Sequence, residues 1–178
     1  MRKIAIVGPE SSGKTTLCEA LMGELRAWMV PEVAREFLTE LGRPYMEADL
    51  LHIAQQQATD EDRMVQGMEN GILVCDTDLI TIRIWSVEKF GRCDPWIVAQ
   101  SEQRHYDLWL LCKPDIPWEA DPLRENPQDR DRLFEVYVAM LERLGKPFLV
   151  VQGGREQRTR TAKDAIDRLS GPTHQNSS

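Results

Sequence analysis

The sequence predicts a three-layer α/β fold, in which a parallel sheet of five strands carries helices on both faces. Two observations support this fold class. Five short apolar runs alternate with segments of helical periodicity, an arrangement that is typical of parallel sheets. The runs are continuously apolar, as expected for strands that are buried on both faces. They lie at residues 3–7, 28–30, 72–75, 107–112 and 147–151.

The first strand leads directly into GPESSGKTT at residues 8–16, and a helical segment follows at 16–27. A glycine loop between a strand and a helix forms a phosphate cradle, because backbone N–H groups and the positive end of the helix dipole face the phosphates. In such a loop the lysine reaches the β- and γ-phosphates and the hydroxyl binds Mg²⁺. The sequence therefore predicts a phosphate-loop NTPase fold. The pattern G-x-x-x-x-G-K-[ST] is filled by Gly8, Gly13, Lys14 and Thr15.

Helices are predicted between the strands. One should begin at Pro31, because proline is favoured in a first helical turn. Residues 79–90 are ambiguous: β-branched side chains favour a strand, whereas their place between two buried strands favours a crossover helix, which we choose. Residues 113–130 contain four prolines among many charges, which predicts a long loop. Further helices are predicted at 47–68, 95–104, 132–144 and 156–169.

Composition restricts the class of protein. The chain has 178 residues and a formal net charge of −7 without a long basic run, which disfavours broad binding to nucleic acid or anionic membranes. No apolar stretch has the length of a membrane span and no signal peptide precedes the first strand, so we expect a cytoplasmic protein. We expect one domain at 1–170 and a disordered tail at 171–178. Four cysteines without a C-x-x-C pair indicate structural thiols: Cys18, Cys75, Cys93 and Cys112.

Carboxylates follow two of the predicted strands. Asp76 comes directly after the third strand and is expected to share Mg²⁺ with Thr15; alternatively it only caps the next helix. Asp78 is the better cap, or a substrate contact. Ligands of parallel α/β sheets bind at the carboxyl ends of the strands. We therefore expect Gly8, Glu32, Asp76, Lys113 and Gly153 to converge.

Glu32 ends the second strand, beside the phosphate loop. A carboxylate there can orient a hydroxyl acceptor and take its proton during phosphoryl transfer. Alternatively, Glu32 complements the dipole of the helix that follows. Arg35 lies one turn further along, where it could bind the same ligand or pair with Glu32.

Two further groups could take part in such a site. The loop at about 113–131 carries Arg124 and Arg130, and arginines that close over a transferred phosphoryl group stabilise its charge and exclude water. Alternatively, this loop is only a solvated charged segment. Most aromatic residues should belong to the core. One of Trp85, Tyr106 or Trp118 could instead stack on a flat heterocycle.

Four stretches resemble the NadR-type ribosylnicotinamide kinase domain. That domain transfers the γ-phosphate of ATP to the 5′-hydroxyl of nicotinamide riboside, which yields nicotinamide mononucleotide for NAD salvage. The resemblance extends to about Leu169 and includes a phosphate loop, a block after the second strand, an aspartate pair and the charged loop. The stretches are GPESSGKTTL, VPEVAREFL, DTDLIT and YDLWLLCKPDIPWEADPLRENPQDR.

The resemblance implies a kinase that uses ATP, Mg²⁺ and a small-molecule acceptor. It places Glu32, Arg35, Asp76 and Asp78 on the riboside side, and Arg124 and Arg130 in the lid. The residues expected to contact ATP are Gly8, Pro9, Glu10, Ser11, Ser12, Gly13, Lys14, Thr15 and Thr16. The loop Gln152 to Arg158, which includes Gly153 and Arg155, should lie where related kinases hold adenine.

Two other functions stay open: a different nucleoside or nucleotide kinase, and a regulatory ATPase switch. A GTPase switch is disfavoured, because Lys113–Asp115 supplies only the K-x-D part of N-K-x-D and Asp76 does not begin a D-x-x-G motif. The 178 residues contain neither an H-x-G-H motif nor a DNA-binding segment, so we expect neither adenylyl transfer nor repression. The acceptor and the oligomeric state are left open.

Overall fold

A computed structural model describes residues 1–119 and 128–169. Strands and helices alternate as predicted. The strands are β1 (Arg2–Val7), β2 (Trp28–Val30), β3 (Ile72–Asp76), β4 (Leu108–Cys112) and β5 (Phe148–Val151). The helices are α1 (Lys14–Leu25), α2 (Val33–Glu40), α3 (Glu47–Gly67), α4 (Leu79–Phe90), α5 (Pro95–Gln103), α6 (Arg130–Arg143) and α7 (Arg155–Arg168).

The five strands form one sheet in the order β2-β3-β1-β4-β5, and every pairing is parallel. β1 lies in the centre, where Ile4 is opposite Val74 on one side and Leu108 on the other. The phosphate loop therefore leaves the middle of the sheet, with the ends of β3 and β4 beside it. This position confirms the predicted convergence of the strand ends.

Both faces of the sheet are covered, because successive side chains of a strand point to opposite faces. Ile4 and Ile6 pack on one face with residues of α1 and α7. Ala5 and Val7 pack on the other face with residues of α4 and α6. The three-layer architecture is confirmed.

A separate core cluster joins the helices α2, α3, α4 and α5. Ala34, Leu50, Ile82 and Ile97 are its fully or almost fully buried members from these helices. The short helix α2 therefore depends on α3 and α4 for its position.

Several boundaries differ from the predicted ones. α2 begins at Val33 rather than at Pro31, because Glu32 keeps an extended backbone (φ −69°, ψ 108°) and is the N-cap residue. α1 begins at Lys14, directly after the left-handed Gly13, and α6 begins at Arg130. The ambiguous segment is helical, as we chose: the carboxylate of Asp78 accepts from the Thr81 N–H and caps α4.

The remaining expectations concern single features. The four cysteines carry free thiols. In the part of the chain that the structure describes, no helix is both long and apolar enough to cross a membrane. Arg124 and the tail at 171–178 lie outside the described residues.

Candidate functional site

The phosphate loop has a backbone that only glycine adopts easily at its start. Gly8 has φ 143°, and a Cβ atom there would lie 2.6 Å from the carbonyl oxygen of Cys112. Gly13, with φ 81°, is the N-cap residue of α1. Glycine tolerates these positive φ values without strain. The loop is thus pressed against the end of β4 and directs the first turn of α1 towards the cavity described below.

The side chain of Lys14 folds back over this loop. Its Nζ donates to the carbonyl oxygens of Gly8 and Pro9, both at 3.0 Å. The hydroxyl of Ser12 donates to the same Pro9 carbonyl at 2.7 Å. The ammonium group therefore lies over the loop, where it could contact phosphate oxygens.

Thr15 and Asp76 meet beside the loop, as predicted. The Thr15 hydroxyl donates to Oδ2 of Asp76 at 2.7 Å. The other carboxylate oxygen, Oδ1, is buried and has no hydrogen-bond partner among residues 1–119 and 128–169. Burial raises the pKa of Asp76, against the Thr15 hydrogen bond and the charge of Lys14.

These two groups fit Mg²⁺. A hydroxyl and a carboxylate are the oxygen ligands that this ion prefers. Among the described residues no group of three or more His, Cys, Asp or Glu could hold a metal. A pair of protein ligands suits Mg²⁺, which usually keeps several waters and also binds substrate phosphates.

A cavity of about 460 Å³ extends from the phosphate loop into the space between α2, α4 and α6. Its volume falls within the range of small-molecule sites. Lys14 and Thr15 of the phosphate loop contribute to its wall, and so do Glu32, Arg35 and Trp85. The structure therefore joins the predicted phosphate site and three of the predicted acceptor residues in one space.

Glu32 is half-buried at the wall of this cavity. Burial raises the pKa of its carboxyl; the charges of Lys14 and Arg35 act in the opposite direction, whereas Asp76 adds to the increase. A carboxylate of raised pKa is a stronger base. The first N–H of α2, that of Val33, is capped by the Gln57 side chain at 3.0 Å rather than by Glu32.

The cavity wall also contains aromatic and charged residues that the sequence patterns did not assign to the acceptor site. The Nζ of Lys89 lies 3.6 Å from the ring centroid of Tyr45. Arg132 pairs with Glu88 of α4 and with Asp129, and this contact joins α6 to α4. Tyr45, Lys89 and Arg132 come from distant segments, and no spacing in the sequence connects these three.

Two predicted substrate contacts are corrected by the structure. Tyr106 is 1% exposed and its hydroxyl donates to Glu61 at 2.7 Å. Asp78 is also 1% exposed, and it accepts from the Trp109 indole N–H at 2.8 Å. Neither residue lines the cavity. Both lie in the core, where their polar groups form hydrogen bonds with buried neighbours. Burial raises the pKa of Asp78 to about 6.

Arg130 reaches the phosphate loop. One of its guanidinium nitrogens donates to the carbonyl oxygens of Ser11 and Ile116, both at 3.1 Å. Its guanidinium also lies 5.6 Å from the ring centroid of Trp118. An arginine of the predicted lid thus lies beside the phosphate site.

A second cavity, of about 290 Å³, lies between the loop and α7, with Gly13, Thr16 and Arg155 in its wall. Its other wall residues include the buried Arg158, the last residue of the loop that the resemblance places near the adenine. Arg158 donates to the carbonyl oxygens of Ser12, Lys113 and Gly153, each at 2.7 Å, and pairs with Asp115.

The contacts of Asp115 test the alternative that this chain is a GTPase switch. The N–H of Gly153 donates to the Asp115 carboxylate at 2.7 Å. Asp115 is therefore bound to α7 and to the turn that precedes it. Its carboxylate is occupied by these contacts with Gly153 and Arg158, which disfavours a guanine-reading role for Asp115.

Comparison with known proteins shows that this chain is similar to NadR proteins and, in its fold, to a deoxyadenosine kinase. The trifunctional NAD biosynthesis/regulator protein NadR of Escherichia coli (strain K12) is 28% identical over 160 residues, which are 85% of this chain. The match spans only 38% of that relative's length. The structure of a NadR protein in complex with NR has a TM-score of 0.83 and 24% identity, over 96% of this chain and 52% of that one.

A deoxyadenosine kinase from M. mycoides has the same fold, with a TM-score of 0.67 and 12% identity over 93% of this chain and 99% of that one. The family model described as AAA domain, AAA_28, matches residues 3–158. This match runs from β1 into α7 and includes the whole phosphate loop. The chain therefore belongs to this AAA domain family.

Proposed function

We propose that this chain is an ATP-dependent kinase that phosphorylates the 5′-hydroxyl of a nucleoside, with nicotinamide riboside as the preferred acceptor. One observation carries the proposal: a single cavity is lined both by the phosphate loop and by Glu32, Arg35 and Trp85. The similarity to NadR proteins, one of them solved with NR, supports the choice of acceptor. The chain would then act in NAD salvage.

ATP would bind with its phosphates on the loop. The backbone N–H groups and the α1 terminus attract phosphate oxygens, and Lys14 would contact the β- and γ-phosphates. The second cavity, beside Gly153 and Arg155, offers a place for the adenine. Mg²⁺ held by Thr15 and Asp76 would neutralise charge on the phosphates.

The acceptor would bind with its 5′-hydroxyl at Glu32. The hydroxyl oxygen attacks the γ-phosphorus, the bond to the β-phosphate oxygen breaks, and the proton passes from the hydroxyl to the Glu32 carboxylate. ADP and the nucleoside monophosphate result. Arg130, which already contacts the loop, would stabilise charge on the transferred group.

A panel of nucleosides incubated with ATP and the purified protein tests the proposal. Mass spectrometry should detect a monophosphate, formed fastest from nicotinamide riboside. Lys14→Ala should lower turnover by about 10²–10³-fold, the usual loss for one preorganised electrostatic contact. If the wild-type protein forms no monophosphate from any nucleoside, the proposed kinase activity is wrong.

A further inference from the structure

Residues 113–119, which follow β4, lie against the phosphate loop, and we call them the strap. Near the start of the strap, the Asp115 carboxylate pairs with the buried Arg158 of α7. At the other end, the N–H of Glu119 donates to the hydroxyl of Ser11 in the phosphate loop at 2.9 Å. The strap is therefore held at both ends, and its second attachment is a side chain of the loop itself.

The strap borders both cavities. Ile116 and Glu119 belong to the walls of both, as do Gly13 and Thr16 of the phosphate loop. Ile116 packs on the glycine, since its Cδ1 atom lies 3.2 Å from the place that a Cβ atom of Gly13 would occupy. The two cavities therefore adjoin where the strap meets the loop. In the proposed reaction the phosphoryl group passes from ATP to the acceptor at this place.

Arg130 connects the strap back to the loop. One guanidinium nitrogen donates both to the Ile116 carbonyl of the strap and to the Ser11 carbonyl of the loop. Ser11 thus accepts twice, from Arg130 through its carbonyl and from Glu119 through its hydroxyl. Loop, strap and arginine form a closed ring of hydrogen bonds. A strap that moves would therefore also move the Ile116 carbonyl that holds the guanidinium.

The backbone of Ser11 is unusual for a serine. Its φ is 53°, in the left-handed region that residues with a Cβ atom seldom adopt. Glycine takes this conformation without strain, but it has no hydroxyl to accept from Glu119. Strained residues of this kind persist at functional sites, where the surrounding structure holds them. The strain at Ser11 therefore indicates that its side chain is used.

We propose that Ser11 is a positioning residue for phosphoryl transfer, because its hydroxyl holds the strap and the strap holds Arg130 within reach of the transferred group. This inference rests on the proposed function, in which Arg130 stabilises charge on that group. ATP binding depends on the backbone N–H groups of the loop and on Lys14, not on the Ser11 hydroxyl. A misplaced Arg130 should thus lower kcat and change ground-state binding of ATP little.

Ser11→Ala tests the proposal, since it removes the hydroxyl and keeps the backbone groups. With ATP and nicotinamide riboside, kcat should fall about fivefold, the value of roughly one neutral hydrogen bond. The Kd for ATP, measured by calorimetry, should stay nearly unchanged. Ser11→Gly also lacks the hydroxyl but suits a left-handed backbone, and it should show the same loss. The two variants together separate the hydroxyl from the backbone conformation.

Arg130→Ala shows whether Ser11 acts through the arginine. Alone, it should lower kcat more than Ser11→Ala does. In the double variant, loss of the Ser11 hydroxyl should have no further effect, because no guanidinium is left to position. Hydrogen exchange at the Glu119 amide, measured by NMR without substrates, reports the contact itself. It should be faster in Ser11→Ala than in the wild type.

Three results would overturn the inference. If the fivefold loss persists in the Arg130→Ala background, Ser11 acts independently of the arginine. If either Ser11 variant keeps the wild-type kcat, its hydroxyl positions nothing. If the affinity for ATP falls as much as kcat, the hydroxyl binds the nucleotide instead. All three leave the proposed kinase standing, because the wild type still phosphorylates the riboside. If the wild type phosphorylates no nucleoside, the proposed function fails and the inference fails with it.

Discussion

Asp76 and Asp78 differ in role although one residue separates them at the end of β3. Asp76 accepts from Thr15 beside the phosphate loop. Asp78 accepts from Trp109 and Thr81 in the core and caps α4. The spacing in the sequence could place both at the carboxyl edge of the sheet. It could not show which carboxylate faces the loop, because that depends on where β4 places the Trp109 indole.

The burial of Asp78 predicts a pH effect on stability. Its pKa is about 6 in the folded protein, above the value of about 3.9 for an exposed aspartate. The folded state thus binds this proton more tightly than the unfolded chain, and its contribution to stability is full below pH 4 and lost as the pH rises through 6. The loss amounts to about 3 kcal/mol, since one pKa unit is worth about 1.4 kcal/mol.

Asp78→Asn removes the titration. As the pH falls from 7 to 4, the free energy of unfolding of the wild type should rise relative to that of the variant. Urea denaturation of both proteins at several pH values measures the difference. Parallel pH profiles would show that Asp78 has an ordinary pKa.

At the scale of elements, α2 presents Glu32 and Arg35 to the cavity but does not cap itself. Its Val33 N–H is bound by Gln57 of α3, a residue 24 positions away. Predicting the start of this helix from Pro31 was wrong, because a cap from another helix leaves no local signal. By contrast, the start of α5 was predictable from local signals, since the Asp94 side chain caps it and Pro95 lies in its first turn.

Gln57→Met should loosen the start of α2. The variant keeps the length of the side chain but lacks the acceptor oxygen, so we expect a loss of about 1–2 kcal/mol in the free energy of unfolding. The kcat for nucleoside phosphorylation should fall more than the Kd for ATP rises, because Glu32 moves and the phosphate loop does not.

Gln56→Met is the control for this variant. Gln56 is exposed, and its side chain donates to Asp60 one turn along the same helix. It should leave both stability and kcat nearly unchanged. If the two substitutions lower stability and kcat equally, the losses come from replacing a glutamine of α3 with methionine and not from loss of the Gln57 cap.

At the scale of the whole molecule, the phosphate site was predictable and most of the acceptor cavity was not. The loop is one contiguous stretch, and its sequence motif alone identifies the phosphate-binding residues. The cavity is assembled from α2, α4 and α6, which lie far apart in the chain and meet only through packing. Tyr45, Lys89 and Tyr137 therefore carried no sequence signal, whereas Glu32 could be placed because it ends a strand.

The central claim is that one cavity couples the phosphate loop to a nucleoside acceptor through Glu32. ADP release, measured with and without nicotinamide riboside for the wild type and Glu32→Gln, tests it most directly. The riboside should accelerate ADP release by the wild type. In the variant that accelerated rate should fall by about 10²–10⁴-fold, the range for loss of a general base, while slow hydrolysis without riboside stays unchanged. A wild-type rate that no nucleoside increases, or a fully active Glu32→Gln, would contradict the claim.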